Sequence, residues 1–579
     1  MHVLQSARFR GIFLLNVLSC VFLHPFFVKA APRGQQAFDY ALTLDLGKPT
    51  NVLWDLSREP SVNSTGRWIF DTVNSFLKLW PNTRLRNGHS LVPGIVPVGT
   101  LLYHGATHNK IPTIPEWTSV DPEHSHLFCS IESGKIDKNA TRECWHLTLV
   151  VTSPLKVLYF DGSGAAKMWG GPMDSQDLVA WGGVQPNRTF DEWVRIVDLC
   201  DWGKEFEIDA FVRMEMDFEF LVCDFTAKLD VASFLKLQSP ELGISRNTSD
   251  SARVLEAGRW HAQYPSEQRI KLDYTRFISF YDTSLFPDLN LHRQGQERWD
   301  HRLKDISSDE MITLYRTWND TFRGEWGVSK SGIDWPTLLM TIEQRYSERL
   351  TVLRYILLDL AAERKVADML KQSHRHIRDM VLPYLLDSMY ESRFTNRPDV
   401  STTMLDLQWA SPAFEECATN YIRHLEKPSV LSSLSHSEKL ILGATRETLT
   451  EICRVLVGMW AEGTERGFSM SSSVPAFDEE NSSDKTAALQ LLAESWRSRT
   501  QGLMDWLDWS SWVICQPACS FEEMCYLPTW PWFKNLPRPT PNKDNTEHMP
   551  EPGPNDDWYH PVPRCIRRIE PFSNPRFDV

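Results

Sequence analysis

Ten cysteines constrain this chain more than any other feature of it. The sequence holds eleven, and Cys20 lies inside an apolar leader. The others fall into local groups: Cys129 and Cys144, Cys200 and Cys223, Cys417 and Cys453, then Cys515, Cys519, Cys525 and Cys565. An even set of cysteines in a chain bound for an oxidising compartment reads as a disulfide framework. The expectation is three sequential pairs and two bridges within the last four. Spacing alone does not fix connectivity.

Export is read from the start of the chain. Arg8 and Arg10 precede "GIFLLNVLSCVFLHPFFV", and Val28 and Ala30 occupy the small-residue positions before a cut. Residues 1–30 therefore read as a secretory signal peptide. An uncleaved anchor is the alternative, because the apolar run nears spanning length. His24-Pro25 within it favours removal. No later stretch is long and apolar enough to span. Six sequons agree with export: Asn63, Asn139, Asn187, Asn247, Asn319 and Asn481. Loss of the leader takes the formal net charge from −14 to −17, because Arg8, Arg10 and Lys29 go with it. Such an acidic surface repels phosphate backbones, so nucleic acid is excluded as a general partner. The reading is a secreted protein, extracellular or held in a cell wall, with an extracellular protein or wall partner.

At 579 residues the chain exceeds one typical core. Residues 31–90 form a lead with one helix, where Ile69, Val73, Phe76 and Leu79 keep helical spacing. Residues 91–295 read as a mixed α/β domain. In it "TFDEWVRIVDLCDWG" is a helix with a stripe of Phe190, Trp193, Ile196, Val197 and Cys200, capped by Thr189; Asp174 or Ser175 caps a shorter one. Residues 296–467 read as a helical domain with Asp334 as an N-cap before Trp335-Pro336. A Ser-rich linker spans 468–484, and 485–579 hold a terminal helix and a Cys/Trp/Pro-rich tail. The fold class is α+β: a mixed α/β domain, then helices, then a stapled tail.

Three segments of the α/β region carry residue types suited to chemistry. "GTLLYHGA" ends a strand on His104-Gly105, exposing backbone groups. "PEWTSVDPEHSHLFC" supplies Ser119, Ser125 and His126. "EIDAFVRMEMDFEFLVCDF" places Glu215, Asp217 and Glu219 at i, i+2 and i+4, the spacing of one strand face. Three acids on one face cannot all be buried unpaired. Each segment also has a plain structural reading: a turn glycine, a turn serine, a solvated acidic face.

In order and spacing these segments resemble the ADP-ribosyltransferase fold. That family opens on a strand reading like Leu102-Tyr103-His104-Gly105. A Ser/Thr strand and a short helix follow, similar to Thr118-Ser119 and "PEHSHLF". A later apolar strand opens on a Glu, as Glu219-Phe220-Leu221-Val222 does. The resemblance covers residues 91–235. It implies NAD as cofactor and ADP-ribosyl transfer or NAD glycohydrolysis as activity. It makes His104, Ser119 and Glu219 catalytic, with His104 and Gly105 binding the cofactor. Glu219 would stabilise the charge that develops as the glycosidic bond breaks. Ala210 departs from the family's usual Gly, and no Tyr stands where the nicotinamide would stack.

Other readings remain beside it. Asp121, Glu123, His124 and His126 are dense, with His104 and His108 near. His124 and His126 would share a face on a strand, as metal ligands do, which gives a metal-dependent hydrolase. The structural alternative is surface or capping histidines, and no metal ligand set is assigned. "HRH" at 374–376 lies on a helix and reads as a solvated face. Trp506, Trp509 and Trp512 before Cys515 and Cys519 are similar to the opening of thrombospondin type 1 repeats. Arg564, Arg567 and Arg568 would stack on them; the plainer reading is a disulfide knob packing Trp onto the helices. The whole chain resembles a group of uncharacterised secreted proteins of filamentous fungi. Three functions follow: an ADP-ribosyltransferase-like enzyme, a non-enzymatic cell-surface or wall protein, and a metal-dependent hydrolase.

Overall fold

The computed structural model describes residues 54–130, 143–168, 170–238, 246–327, 331–358, 365–389, 407–468, 483–529, 540–541, 547–548 and 559–570. The expected signal peptide, Asn139, Asn481 and most of the Ser-rich linker lie outside them.

Alternating apolar residues build one mixed sheet. Its strands are β1 (Ser90–Val96), β2 (Leu101–Ala106), β3 (Glu116–Ser119), β4 (Cys144–Val151), β5 (Leu155–Phe160), β6 (Ala210–Met214), β7 (Phe218–Val222), β8 (Leu229–Leu237), β9 (Lys271–Leu272) and β10 (Ile278–Ser279). The order is β10-β1-β5-β6-β7-β3-β2-β4-β8, with β9 also on β1. All pairs are antiparallel except β5–β6.

Helices cover both faces, so the central strands are apolar on both sides. One face carries Leu91, Leu158, Phe211 and Leu221, packed with residues of α4 (Asp174–Trp181), α5 (Glu192–Gly203), α7 (Pro287–His292) and α8 (Ser308–Phe322). α3 (Pro122–Ser130) lies on this side against β2 and β4. The opposite face carries Val92, Val157, Val212 and Phe220. It shares one continuous core with α1 (Gly66–Ser75), α9 (Trp335–Leu358), α10 (Val366–Val381), α11 (Ser411–Thr419), α12 (His436–Glu465) and α13 (Ser483–Leu507). The core therefore runs unbroken from sheet to helices. The remaining labelled elements are α2 (Leu79–Arg84) and α6 (Arg246–Ala257).

Local capping departs from the sequence expectation in two places. α5 begins at Glu192, and the Thr189 hydroxyl donates to Pro186 O instead of capping. Arg195 is fully buried and turns this face inward, so Phe190 and Trp193 are 40% exposed and Ile196, Leu199 and Cys200 form the stripe. α4 starts after Met173, and the Asp174 carboxylate is taken by Arg302 and by Leu303 N. Asp334 does cap α9, accepting from Thr337 N at 3.2 Å. The lead helix stops at Ser75, and Leu77 turns the chain at φ 60° into α2.

The disulfides pair as expected: Cys129–Cys144, Cys200–Cys223 and Cys417–Cys453. The tail holds Cys515–Cys525 and Cys519–Cys565, and Cys525 and Cys565 are themselves paired in the ladder of β11 (Glu523–Tyr526) with β12 (Arg564–Arg567). Among the described residues no helix is long and apolar enough to cross a membrane. Trp509 stacks on Phe70 of α1, and Trp506 meets Arg67, not the tail arginines. His374 of "HRH" is buried and bonds Trp460 O at 3.0 Å, so this is no solvated face.

Candidate functional site

The sheet brings three motif strands side by side in the order β7, β3, β2. Ser119 pairs with Tyr103 on one side and with Glu219 on the other, and Glu219 pairs with Arg213 of β6. Paired residues share a face, so Tyr103, Ser119, Glu219 and Arg213 form one row beneath α3, α4 and α5. His104 is one residue on from Tyr103 and points to the opposite face. There it is buried, bonds Trp117 O through Nδ1 at 2.7 Å, and meets Phe225 edge-on. Burial holds its pKa below the usual imidazole value. The structure thus brings Ser119 and Glu219 together and leaves His104 apart from them.

The glycine after His104 has a packing cause. A Cβ on Gly105 would lie 2.0 Å from the Ser125 carbonyl oxygen, so β2 and α3 approach closely only at a glycine. The Ser119 hydroxyl is used within the turn into α3, donating to Asp121 O at 2.8 Å. Ser125 meets His146 Nε2 at 2.6 Å and ties α3 to β4.

Beneath α3 lies a buried network of opposite charges. Arg213 donates to Glu219 Oε2 from Nε at 3.1 Å and Nη2 at 3.0 Å, and also pairs with Glu192. Burial alone would raise the Glu192 pKa, but Arg213, Lys167 and Arg195 outweigh it and hold it at about 2. Arg195 binds Asp177 through Nε and Nη2. Burial outweighs that pairing, and the Asp177 pKa stands at about 6.

At the β6–β7 turn the pairing changes character. Glu215 and Asp217 lie in that turn and only Glu219 is on the strand, yet all three are buried. The acids therefore form no solvated face. His261 Nε2 stands 3.4 Å from Asp121 Oδ2 and 3.3 Å from Asp217 Oδ1. His124 lies 3.8 Å from both Asp217 Oδ2 and Glu219 Oε1. Burial opposes charge on His261, but the two carboxylates raise its pKa to about 9. Asp121, against its burial, falls to about 2 beside His261 and Arg269. Asp121, Asp217 and His261 are near enough to hold one ion.

The histidines named from the sequence separate here. Residues 122–130 are a helix, not a strand, so His124 turns inward while His126 is half-buried. Glu123 and His108 are exposed. Sequence reasoning missed Arg213, Glu192, His261 and Arg269. Arg213 had a readable signal, a cation inside the apolar run "AFVRM". His261 comes from "GRWHAQYP", far along the chain, and had none.

Open cavities lie elsewhere, among them one of 480 Å³ lined by Phe76, Leu272, Tyr274 and Trp335. Another, 640 Å³, is lined by Cys200, Cys223, Val197, Ile208 and Phe225 at the far end of β7. Its Asp209 carboxylate is taken by Lys228. A third is a 330 Å³ groove between α13 and the tail, lined by Trp299, Trp509, Trp512, His560, Asp505 and Gln501 among others. Trp299 carries Arg84 over its ring and packs against His560.

The α/β region is similar to known fungal sequences. Residues 58–146 and 131–249 match the family described as YPL277C N-terminal domain. Uncharacterized protein YPL277C of Saccharomyces cerevisiae is 29% identical over 218 residues, covering 31% of this chain and 44% of that protein. Uncharacterized protein YOR389W of the same yeast is 28% identical over 217 residues, covering 31% of this chain and 34% of its own length. The chain thus spans less than half the length of these relatives. No solved structure matches.

Proposed function

We propose that the protein acts outside the cytosol as a non-enzymatic cell-surface or wall protein. It holds a wall polysaccharide in the groove between α13 and the tail. The observation that carries this reading is the groove itself. Trp299, Trp512 and His560 present ring surface beside Asp505 and Gln501 in an open 330 Å³ cleft. Flat rings that cover the apolar faces of sugar rings, with polar groups for their hydroxyls, suit such a ligand. Five disulfides, of which two staple the tail, suit an oxidising extracellular setting. Exposed Asn63 and Asn187 are available as glycan acceptors, and Asn319 is half-exposed on α8. The test is sedimentation of the secreted protein with insoluble β-glucan and chitin. Trp299→Ala with Gln501→Ala should abolish retention while circular dichroism stays unchanged. Failure of the unmutated protein to sediment with either polymer sinks the reading.

A second reading has its own support. The strands carrying His104, Ser119 and Glu219 are neighbours, as an ADP-ribosyltransferase-like site needs. Against it, Glu219 is held by Arg213 and His104 lies across the sheet. Nicotinamide release from NAD, lost in Glu219→Gln, would establish this reading over the first.

A further inference from the structure

The acids beneath α3 are neutralised unevenly. Glu192 and Glu219 have Arg213, Asp177 has Arg195, and Asp121 and Glu267 have Arg269. Asp217 is fully buried, and among the described residues it meets His124, His261 and the Phe218 N–H but no Arg or Lys. A buried carboxylate needs a firm partner. Charge-assisted hydrogen bonds run about 2.7–2.9 Å, and His261 Nε2 sits at 3.3 and 3.4 Å from its two carboxylates. These spacings are long for hydrogen bonds. They match the ligand–ligand edge of a tetrahedral ion, about 3.4 Å for bonds of about 2.0–2.1 Å.

A second observation lies beside it, on the other oxygen of the same carboxylate. Asp217 Oδ2 and His124 Nδ1 are both buried, lie 3.8 Å apart, and have no hydrogen-bond partner among the described residues. Two buried polar atoms left unpaired at the edge of the cluster fit a cation held there by Asp217. The cysteines of the tail cannot compete as ligands, since all four are in disulfides.

We propose that Asp121, Asp217 and His261 form a closed structural site for a divalent transition metal, with His124, which stands against Asp217 but farther from the cluster, turning in as fourth ligand. Two carboxylates and two imidazoles suit zinc or manganese, and two negative charges balance one dication. The ligands come from the β3–α3 turn, α3, the β6–β7 turn and the segment after α6, so the ion would clamp four segments at one point. All four ligands are buried, which assigns the ion to structure and not to hydrolysis. The site is independent of the groove.

The test uses the whole secreted protein. After zinc loading and dialysis, elemental analysis should find one ion per chain, and chelation should lower the melting temperature. Cobalt substitution should give visible d–d bands of tetrahedral intensity without thiolate charge transfer. His124→Gln and Asp217→Asn should lose the ion, and Glu219→Gln should keep it. Absence of bound metal and of a cobalt spectrum in the unmutated protein overturns the proposal. So does full stoichiometry in the His124 and Asp217 variants, which would place the ion elsewhere. If Asp217→Asn fails to fold, His124→Gln and the cobalt spectrum still decide.

Discussion

Arg213 faces Glu219 across the β6–β7 ladder, and its guanidinium closes on the Glu219 carboxylate from Nε and Nη2. Both side chains are buried, so the pair acts first on stability. Removing one partner of a buried pair leaves the other charge uncompensated, at about 3–5 kcal/mol. Glu192 also serves Arg213 and softens the loss. Glu219→Gln should therefore lower stability by about 2–3 kcal/mol, read as a fall in melting temperature. A catalytic Glu219 would instead lose NAD turnover at unchanged melting temperature.

Gly105 and Gly443 make an opposed pair. An added Cβ at Gly105 would strike the Ser125 carbonyl oxygen at 2.0 Å, and backbone cannot swing aside as a side chain can. Gly105→Ala should cost about 3 kcal/mol by forcing α3 off β2. At Gly443, inside α12, nothing lies within 4 Å of the added atom. Gly443→Ala should stabilise by about 0.5–1 kcal/mol, since Ala loses less backbone freedom in a helix. Paired thermal melts check both signs. A neutral Gly105→Ala would mean that α3 does not rest on β2.

What could be read from the sequence was local. Cysteine neighbours paired as grouped because β4, α3, α5 and β7 bring short-range partners together. Strands such as "GTLLYHGA" and "CWHLTLVV" declared themselves by apolar content, and Asp334 by its Pro. The candidate site was legible only as strands, not as faces. Whether Tyr103 or His104 joins Ser119 depends on register, and a shift of one residue reverses it. His261 reaches Asp121 from 140 residues away, a contact no periodicity encodes. The "HSH" run misled only in the metal reading, which puts it on a strand, whereas the family resemblance makes it a short helix; the period decides which histidine turns inward.

Cys417 and Cys453 join α11 to α12 in the fully buried core, closing a separation of 36 residues. In the chain-entropy view a loop of that size contributes about 3–4 kcal/mol. Replacing both with Ala should lower stability by about that amount without altering the sheet. Melting under reducing conditions should then differ little between the variant and the unmodified chain at this bridge. An equal melting temperature for the two under oxidising conditions would show that the bridge contributes nothing.

His301 ties stability to pH. It is fully buried, bonds the Tyr281 hydroxyl through Nδ1 at 3.1 Å, and lies beside Arg293, Arg298 and buried His89. Burial, then Arg293 and Arg298, hold its pKa down to about 3. His89 is lowered for the same reasons. The unfolded chain keeps an imidazole pKa near 6.5, so below that pH it binds protons that the folded chain refuses. Stability from this cluster is therefore complete above about pH 6.5 and is lost as pH falls toward about 3. The slope is about 1.4 kcal/mol per pH unit for each histidine, minus any offset from buried carboxylates with raised values such as Asp161. His301→Gln keeps a polar side chain but removes the titration. Its melting temperature should fall less between pH 7 and pH 4 than that of the parent chain, whatever its starting value. Parallel curves for the two proteins over that range would show that His301 titrates alike in both states.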